Sequence, residues 1–343
     1  MLRRRFLQAS AAIGAAALSG PSALAGPPQG TGATKASKPR TRIIMGGYSP
    51  ASTGFSIGLK MIGDRLQSRF GDEVDIKYVY NILDLGYRGE DIVWLVESGV
   101  LTLGYQSSSY FTERVPDVGV ADLPFLFSDP KSARAAVDGR LGAAMTAKLE
   151  AGMNLRIAGY FENGFRHVSN RLRPIRTPAD MKGMTIRVLP SKVQARTFEL
   201  LGADPKIMDL TEAIAAIKAG KLDAQENPFA NTVTYGVHTF HRFHSATNHF
   251  YLSRPIFVHR PTFDSWPRAL QDGFLESVRA VIPTQRDLHE KEEAEAMVAI
   301  RKEGGEIVEL TEAELRAFAT AVAPIHDEAR AQYGRELMKL VNR

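Results

Sequence analysis

Cysteine is missing from all 343 residues. Disulfides, thiolate catalysis, cysteine-ligated zinc and cysteine-ligated iron–sulfur clusters are therefore excluded together. Also missing is any apolar run of the roughly 20 residues that a membrane-spanning helix needs; the candidate, Ala9 to Leu18, is too short and only mildly apolar. No G-x-G-x-x-G, P-loop or EF-hand pattern occurs, so the common nucleotide and calcium motifs are absent. A net basic charge is lacking from the body of the chain. Residues 1–42 hold Arg3, Arg4, Arg5, Lys35, Lys38, Arg40 and Arg42 and no acidic residue, and removing these seven from the net +5 leaves −2. A phosphate-tracking surface is not indicated, and no nucleic-acid partner is expected.

What is present is ordinary globular composition, 44% hydrophobic and 24% charged, which argues against disorder. The length suggests two lobes, because single cores stop growing at about 250–300 residues. The N-terminus reads as an export signal: Arg3-Arg4-Arg5-Phe6-Leu7, the apolar run, then Ala23-Leu24-Ala25 as a small-x-small cleavage site. The arginine pair ahead of Phe-Leu resembles a twin-arginine signal; a general secretory signal is the alternative. Residues 1–25 are thus expected to be removed, and 26–41, rich in Gly, Pro, Thr, Ser and Lys, to form a flexible leader. The protein is expected in the periplasm.

Beyond the leader, strands at Arg42–Gly46, Val74–Tyr80 and Leu101–Tyr105 alternate with helices over Phe55–Phe70 and Asp91–Ser98. This is α/β grammar and implies a mostly parallel sheet. It restarts with strands at Arg156–Phe161, Thr185–Val188 and Ala224–Asn227 and helices at Ser191–Leu201 and Thr211–Ala219, the last with Thr211 as N-cap. Pro267–Glu303 reads as helix interrupted at Pro283, with residues 286–303 a solvated helix bridging two lobes, and a last helix runs from Glu312 to about Tyr333 with a kink near Pro324.

Few residues carry a chemical signal. Gly54-Phe55-Ser56-Ile57-Gly58 matches the hydrolase nucleophile elbow, but no strand runs directly into Ser56. His238, His241 and His244, with His249 beyond, could ligate zinc, yet interleaved phenylalanines favour buried structural histidines. Glu290, Glu292, Glu293 and Glu295 read as a solvated helix face without chemistry. No metal or other cofactor is expected. The stronger signal is arginine in apolar sequence. Arg187, in Met184-Thr185-Ile186-Arg187-Val188, would end a buried strand and need an anion, which an internal carboxylate or a ligand could supply. Arg166, in Phe165-Arg166-His167-Val168-Ser169-Asn170, is similar, and Asn227 could offer an amide at a strand's C-terminal end.

These stretches, together with Asp122-Leu123-Pro124-Phe125-Leu126-Phe127, Asp180-Met181-Lys182-Gly183-Met184 and Leu222-Asp223-Ala224-Gln225-Glu226-Asn227-Pro228, give a specific pattern. The chain resembles the C4-dicarboxylate-binding type of periplasmic solute-binding protein of tripartite ATP-independent periplasmic (TRAP) transporters. The resemblance runs from about Arg42 through nearly all that follows. It implies a two-lobed periplasmic-binding fold of type II-like α/β lobes with a long helix bridging both, lobe I from 42–163 plus 253–292, and lobe II with the bridging and C-terminal helices from 164–252 plus 293–343. It implies no catalysis, an organic acid as ligand, and small and large membrane permease subunits as partners. By the same match Arg187 clamps the ligand carboxylate, Arg166 assists and Asn227 contributes its amide. Ser49-Pro50-Ala51-Ser52-Thr53 departs from the His-Pro usual after the first strand, Ala224 replaces a usual glycine, and Pro190 falls later than usual. The far end of the pocket, expected near Asp84, Tyr105, Gln106 and Ser107, is therefore not readable by analogy. Tyr48, Tyr87, Tyr105 and Phe229 would make it aromatic, suiting an acid with a ring or long tail. The competing readings are an exported hydrolase using Ser56 and a periplasmic ligand sensor.

Overall fold

A computed structural model describes residues 40–341; the export signal and nearly all of the leader lie outside the described residues. The strands are β1 (Thr41–Gly46), β2 (Val74–Val79), β3 (Leu103–Tyr105), β4 (Leu155–Phe165), β5 (His167–Asn170), β6 (Thr185–Val188), β7 (Asp204–Ile207), β8 (Ala224–Asn227), β9 (Phe243–Ala246), β10 (Tyr251–His259) and β11 (Glu306–Glu309). The helices are α1 (Gly54–Phe70), α2 (Asp91–Glu97), α3 (Pro130–Asp138), α4 (Arg140–Gly152), α5 (Lys192–Leu200), α6 (Leu210–Lys218), α7 (Phe229–Thr234), α8 (Arg260–Ser265), α9 (Arg268–Lys302), α10 (Glu312–Ala321) and α11 (Pro324–Met338).

The strands form two sheets, ordered β2-β1-β3-β10-β4 and β11-β9-β5-β8-β6-β7. Each is mixed rather than mostly parallel: β1 runs parallel to β2 and β3, whereas β10 is antiparallel to both neighbours, and β5 is antiparallel to β8 and β9. The antiparallel strands are those by which the chain changes sheet. It leaves the first sheet at the end of β4, passes through Arg166 and enters the second as β5. It returns from β9 to β10, and the two passages are tied by the Arg166 amide donating to the Phe250 carbonyl at 2.9 Å.

Apolar periodicity places the helices. Phe55, Leu59, Ile62 and Leu66 bury one stripe of α1 against the first sheet's core, and the Thr53 side chain accepts from Ser56 N to start the helix. Met181, Met184, Ile186, Val188 and Phe198 belong to a second core. The long helix α9 lies along α1 and β4 and reaches α7 beside the second sheet. Its Gln285 amide accepts from Glu162 N at 2.8 Å and donates to Glu162 O at 3.0 Å, satisfying the edge of β4 where no further strand pairs.

Three expectations are corrected. Helix α9 runs unbroken through Pro283, because the proline is on its exposed side, where water can satisfy the freed carbonyl. The α6 N-cap is Asp209, not Thr211: the carboxylate accepts from Thr211 N at 3.0 Å. The C-terminal stretch does not belong wholly to lobe II. Phe318 of α10 enters the second core, but Ile325, Ala329, Tyr333 and Met338 of α11 pack into the first.

Candidate functional site

The C-terminal ends of β1 and β3 in one sheet and of β6 and β8 in the other meet at a common cleft, the position where α/β sheets characteristically bind ligands. Arg187, the penultimate residue of β6, is carried in by its apolar neighbours and is 2% exposed. Its Nε donates to Met208 O at 2.9 Å and its Nη2 to the Tyr110 hydroxyl at 3.1 Å. Burial pushes that hydroxyl up to about 12, against the pull of Arg187, so it is a neutral partner. No carboxylate among the described residues pairs with Arg187, and a buried charge without a counter-ion is costly.

Arg166 differs. It sits at the crossing between β4 and β5 and forms a buried ion pair with the Glu226 carboxylate, Nη2 donating to Oε1 at 2.8 Å. The same Nη2 donates to Glu226 O at 2.7 Å and to Asn227 Oδ1 at 3.0 Å. Burial raises the Glu226 carboxyl, but Arg166 outweighs it and holds the group below its ordinary range. His249 lies 3.6 Å from Glu226, and burial holds its imidazole below its ordinary value. The Asn227 amide donates to Gln225 Oε1 at 2.8 Å. Of the two arginines, only Arg187 thus lacks an internal counter-ion.

Arg187, Arg166 and Asn227 line one cavity together with Tyr48, Ser107, Asn163, Tyr235 and Arg254. The cavity holds about 20 Å³, room for a water molecule and not for an organic acid. The lobes are therefore shut in this state, and a ligand enters only when they part. Unpartnered buried polar atoms gather here: Ser107 Oγ, both amide atoms of Asn163, and Nε and Nη1 of Arg254. Such atoms are uncommon in folded proteins and need explanation. Arg254, Asn163 and Tyr110 were not read from the sequence as site residues: Arg254 and Asn163 lie on the paired strands β10 and β4, Tyr110 lies in the short turn after β3, and none is itself a motif position.

The remaining expected residues divide. Ser107 lines the cavity. Tyr105 stands behind it, its ring 5.5 Å from Tyr48 and 5.4 Å from Phe55. Gln106 is a buried brace, its amide donating to Gly89 O at 2.6 Å. Asp84 is exposed and accepts from Asn81 Nδ2 at 2.8 Å, away from the cavity. Tyr87 is also exposed, and Phe229 stacks on His167 at 4.1 Å, outside the lining. Ser56 lies in the first turn of α1 and donates to Ser49 O at 3.1 Å; it follows a bend, not a strand, so the elbow is absent. His241 bonds Ser169 Oγ through Nδ1 at 2.9 Å, and His244 bonds His241 O at 2.9 Å. Burial lowers both, to about 3 and about 4, keeping them neutral. No cluster able to hold a metal ion occurs among the described residues.

Comparison with known proteins agrees with this geometry. The family model for bacterial extracellular solute-binding protein, family 7, matches residues 45–332. The C4-dicarboxylate-binding periplasmic protein DctP of Rhodobacter capsulatus is 31% identical over 229 residues, covering 66% of this chain and 68% of the relative. The 2,3-diketo-L-gulonate-binding periplasmic protein YiaO of Escherichia coli K12 is 28% identical over 294 residues, 85% of this chain and 88% of the relative. A TRAP periplasmic solute-binding protein of Ralstonia eutropha H16, solved with bound (S)-2-acetolactate, superposes with a TM-score of 0.81 at 26% identity, covering 88% of this chain and 98% of that one. With the family model spanning both lobes and their cleft, this chain belongs to the bacterial extracellular solute-binding proteins of family 7, the solute-binding components of TRAP transporters.

Proposed function

We propose that this protein captures an organic acid in the periplasm, within the cleft between its lobes, and delivers it to the small and large membrane subunits of a TRAP permease. One observation carries the reading: Arg187 is buried at the mouth of both sheets with no internal carboxylate. Its planar fork suits a ligand carboxylate, gripped by two parallel hydrogen bonds. Arg166, neutralised by Glu226, acts as a fixed donor and holds the Asn227 carbonyl in place. The names of the relatives support the class, since diketogulonate, C4-dicarboxylates and acetolactate are all carboxylates. Closure of the lobes excludes water and so strengthens each charge-assisted bond. No step of this cycle needs a nucleophile, and the protein works by binding alone. Export follows the N-terminal signal, with cleavage after Ala25.

The test is a thermal-shift screen of residues 26–343, unfolded and refolded to remove carried ligand, against mono-, di-, keto-, sugar and aromatic acids. A ligand at about 1,000 times its Kd adds about 4 kcal/mol, a shift of several degrees for a protein of this size. A shift confined to a few related carboxylates is expected. No shift with any of them overturns the reading.

A further inference from the structure

One carboxylate near the cleft has no cation of its own. Asp122 ends the short helical turn Pro116–Asp122 and is fully buried. Its Oδ1 accepts from the Ser109 hydroxyl at 3.0 Å, while Oδ2 has no hydrogen-bond partner. Gln194 of α5 donates through Nε2 to the same Ser109 hydroxyl at 2.9 Å, and its Oε1 is also unpartnered. Ser191, the N-cap of α5, turns its hydroxyl to the carboxylate as well. The cluster joins two parts of the molecule. Ser109 and Asp122 follow β3 of the first sheet, whereas Ser191 and Gln194 follow β6, the strand that carries Arg187.

Ionised, Asp122 would be a buried anion held by hydroxyls alone, which is costly. The charges around it do not offset it. Arg166 pulls on it and Glu226 pushes against it, and those two are paired with each other. His249, whose carbonyl accepts from Phe125 N, is held below its ordinary value by burial. From α11, Tyr333 is a phenol raised by burial, and His326, facing Pro124, is lowered by burial. Lys148 of α4 pairs with Asp117 at the surface, Arg196 of α5 pairs with Glu199 and Glu328, and Lys192 is exposed. Burial accordingly pushes the Asp122 carboxyl up to about 7, against the hydroxyls and Arg166. A proton on Oδ2 removes the charge and brings a donor to a cluster in which Gln194 Oε1 lacks one.

The cleft is coupled to this group. Arg166, which pulls on Asp122, lines the cavity, and Ser109 adjoins Tyr110, the hydroxyl partner of Arg187. An organic anion in the cleft adds negative charge that, like Glu226, favours a proton on Asp122. Resting on the acid-binding reading above, we propose that Asp122 is a positioning residue whose protonated form holds the Ser109–Gln194 seam shut, and that capture of an acid draws a proton from solution onto its carboxylate. Reciprocity then requires that protonation tighten acid binding by the same factor. Ionisation leaves a bare charge in the closed seam, which water relieves when α5 withdraws.

The experiment is titration calorimetry on refolded wild type with galacturonate, galactonate and 2-acetolactate, in paired buffers of differing ionisation enthalpy from pH 6 to pH 8.5. These acids stay ionised over that range, so any proton taken up belongs to the protein. A coupling of about tenfold to one group gives uptake of about half a proton per acid bound, with affinity falling about tenfold across the range. Asp122→Asn, which cannot ionise, should abolish the uptake and flatten the profile, whereas Glu293→Gln should retain the uptake. Ser109→Ala, which removes a hydroxyl favouring the ionised form, should move the midpoint of the uptake to higher pH and serves if Asp122→Asn does not fold. Absence of uptake in wild type with an acid that binds overturns the inference and leaves acid binding intact. So does uptake that survives in folded Asp122→Asn, uptake lost in Glu293→Gln, or an unmoved midpoint in Ser109→Ala. Failure of all three acids to bind overturns the inference and counts against the acid-binding reading as well.

Discussion

Arg166 and Arg187 occupy similar sequence, each a cation within apolar residues, and their surroundings separate them. Glu226 answers Arg166 from β8, the neighbour of β5, so that the pair ties the crossing between β4 and β5 to the second sheet. Arg187 extends past the strand ends and meets only neutral oxygens. A buried cation partnered by a ligand should be costly to the empty protein and valuable to the loaded one. Arg187→Ala is therefore expected to weaken the best acid of the screen by about 2–5 kcal/mol, the cost of truncating one partner of a buried charge pair. The melting temperature of the ligand-free variant should be unchanged or slightly raised. Arg187→Lys should fail similarly, because one ammonium cannot reproduce the fork. Calorimetry finding wild-type affinity in Arg187→Ala would remove the clamp assignment. The burial of Arg187 near the end of its strand was legible because that strand is short and apolar. That of Arg254 was not, because the rings it lies near, Phe55, Tyr48 and Tyr105, come from other elements and nothing in Ser253-Arg254-Pro255 announces them.

Among the elements, α9 shows both what periodicity reveals and what it hides. Its length and its bridging position were readable from the charged run after Pro267. The roles of its carboxylates were not, since a carboxylate that caps a distant helix looks the same in sequence as one facing water. Glu292 accepts from Gly54 N at the start of α1, while the adjacent Glu293 accepts from Phe229 N and Ala230 N, at 3.2 and 2.8 Å, at the start of α7. One turn of α9 thus terminates a helix beside each sheet, and α7 begins two residues after Asn227 in the cleft lining. Burial pushes the Glu293 carboxyl up to about 7 despite those two amides. Between its ordinary value near 4.5 and about 7 the folded protein holds a proton that the unfolded chain has released. Glu293 therefore contributes most below about pH 4.5, and that contribution is lost as pH rises through 7. The difference is on the order of 3 kcal/mol. Glu293→Gln keeps an oxygen for the amides and cannot ionise. Its melting temperature should fall less than that of wild type between pH 5 and pH 8, and parallel melting curves would refute the assignment. Glu293→Ala, which removes the cap, should cost about 1 kcal/mol at any pH.

At the scale of the whole molecule, closure depends on contacts made across the cleft, and Asp209 gathers several of them. From the loop before α6 its carboxylate accepts from Gly89 N at 3.3 Å and Glu90 N at 3.1 Å, both just before α2 on the other side, and from the Tyr110 hydroxyl at 3.4 Å. Tyr110 in turn accepts from Arg187. The proposed clamp, Arg187, and the seam between the lobes therefore share one hydrogen-bonded chain, Arg187 to Tyr110 to Asp209 to the Gly89-Glu90 backbone. Arg88 adds ion pairs to Glu90 and Glu212 at the rim, but these are well exposed and contribute little. Asp209 is buried, and hydrogen bonds to a buried charge are worth about 1.5–3 kcal/mol each. Removing it should move the lobe equilibrium towards the open form without touching ligand. Asp209→Ala is accordingly expected to increase the radius of gyration of the ligand-free protein in small-angle scattering. It should also lower acid affinity by roughly tenfold, because less of the protein then occupies the closed, binding-competent state. Loss of the α6 cap alone would lower the melting temperature by a few degrees and leave the radius unchanged. A lower melting temperature with unaltered scattering would thus reduce Asp209 to a helix cap, whereas expansion reversed by saturating ligand would establish it as the latch between the lobes.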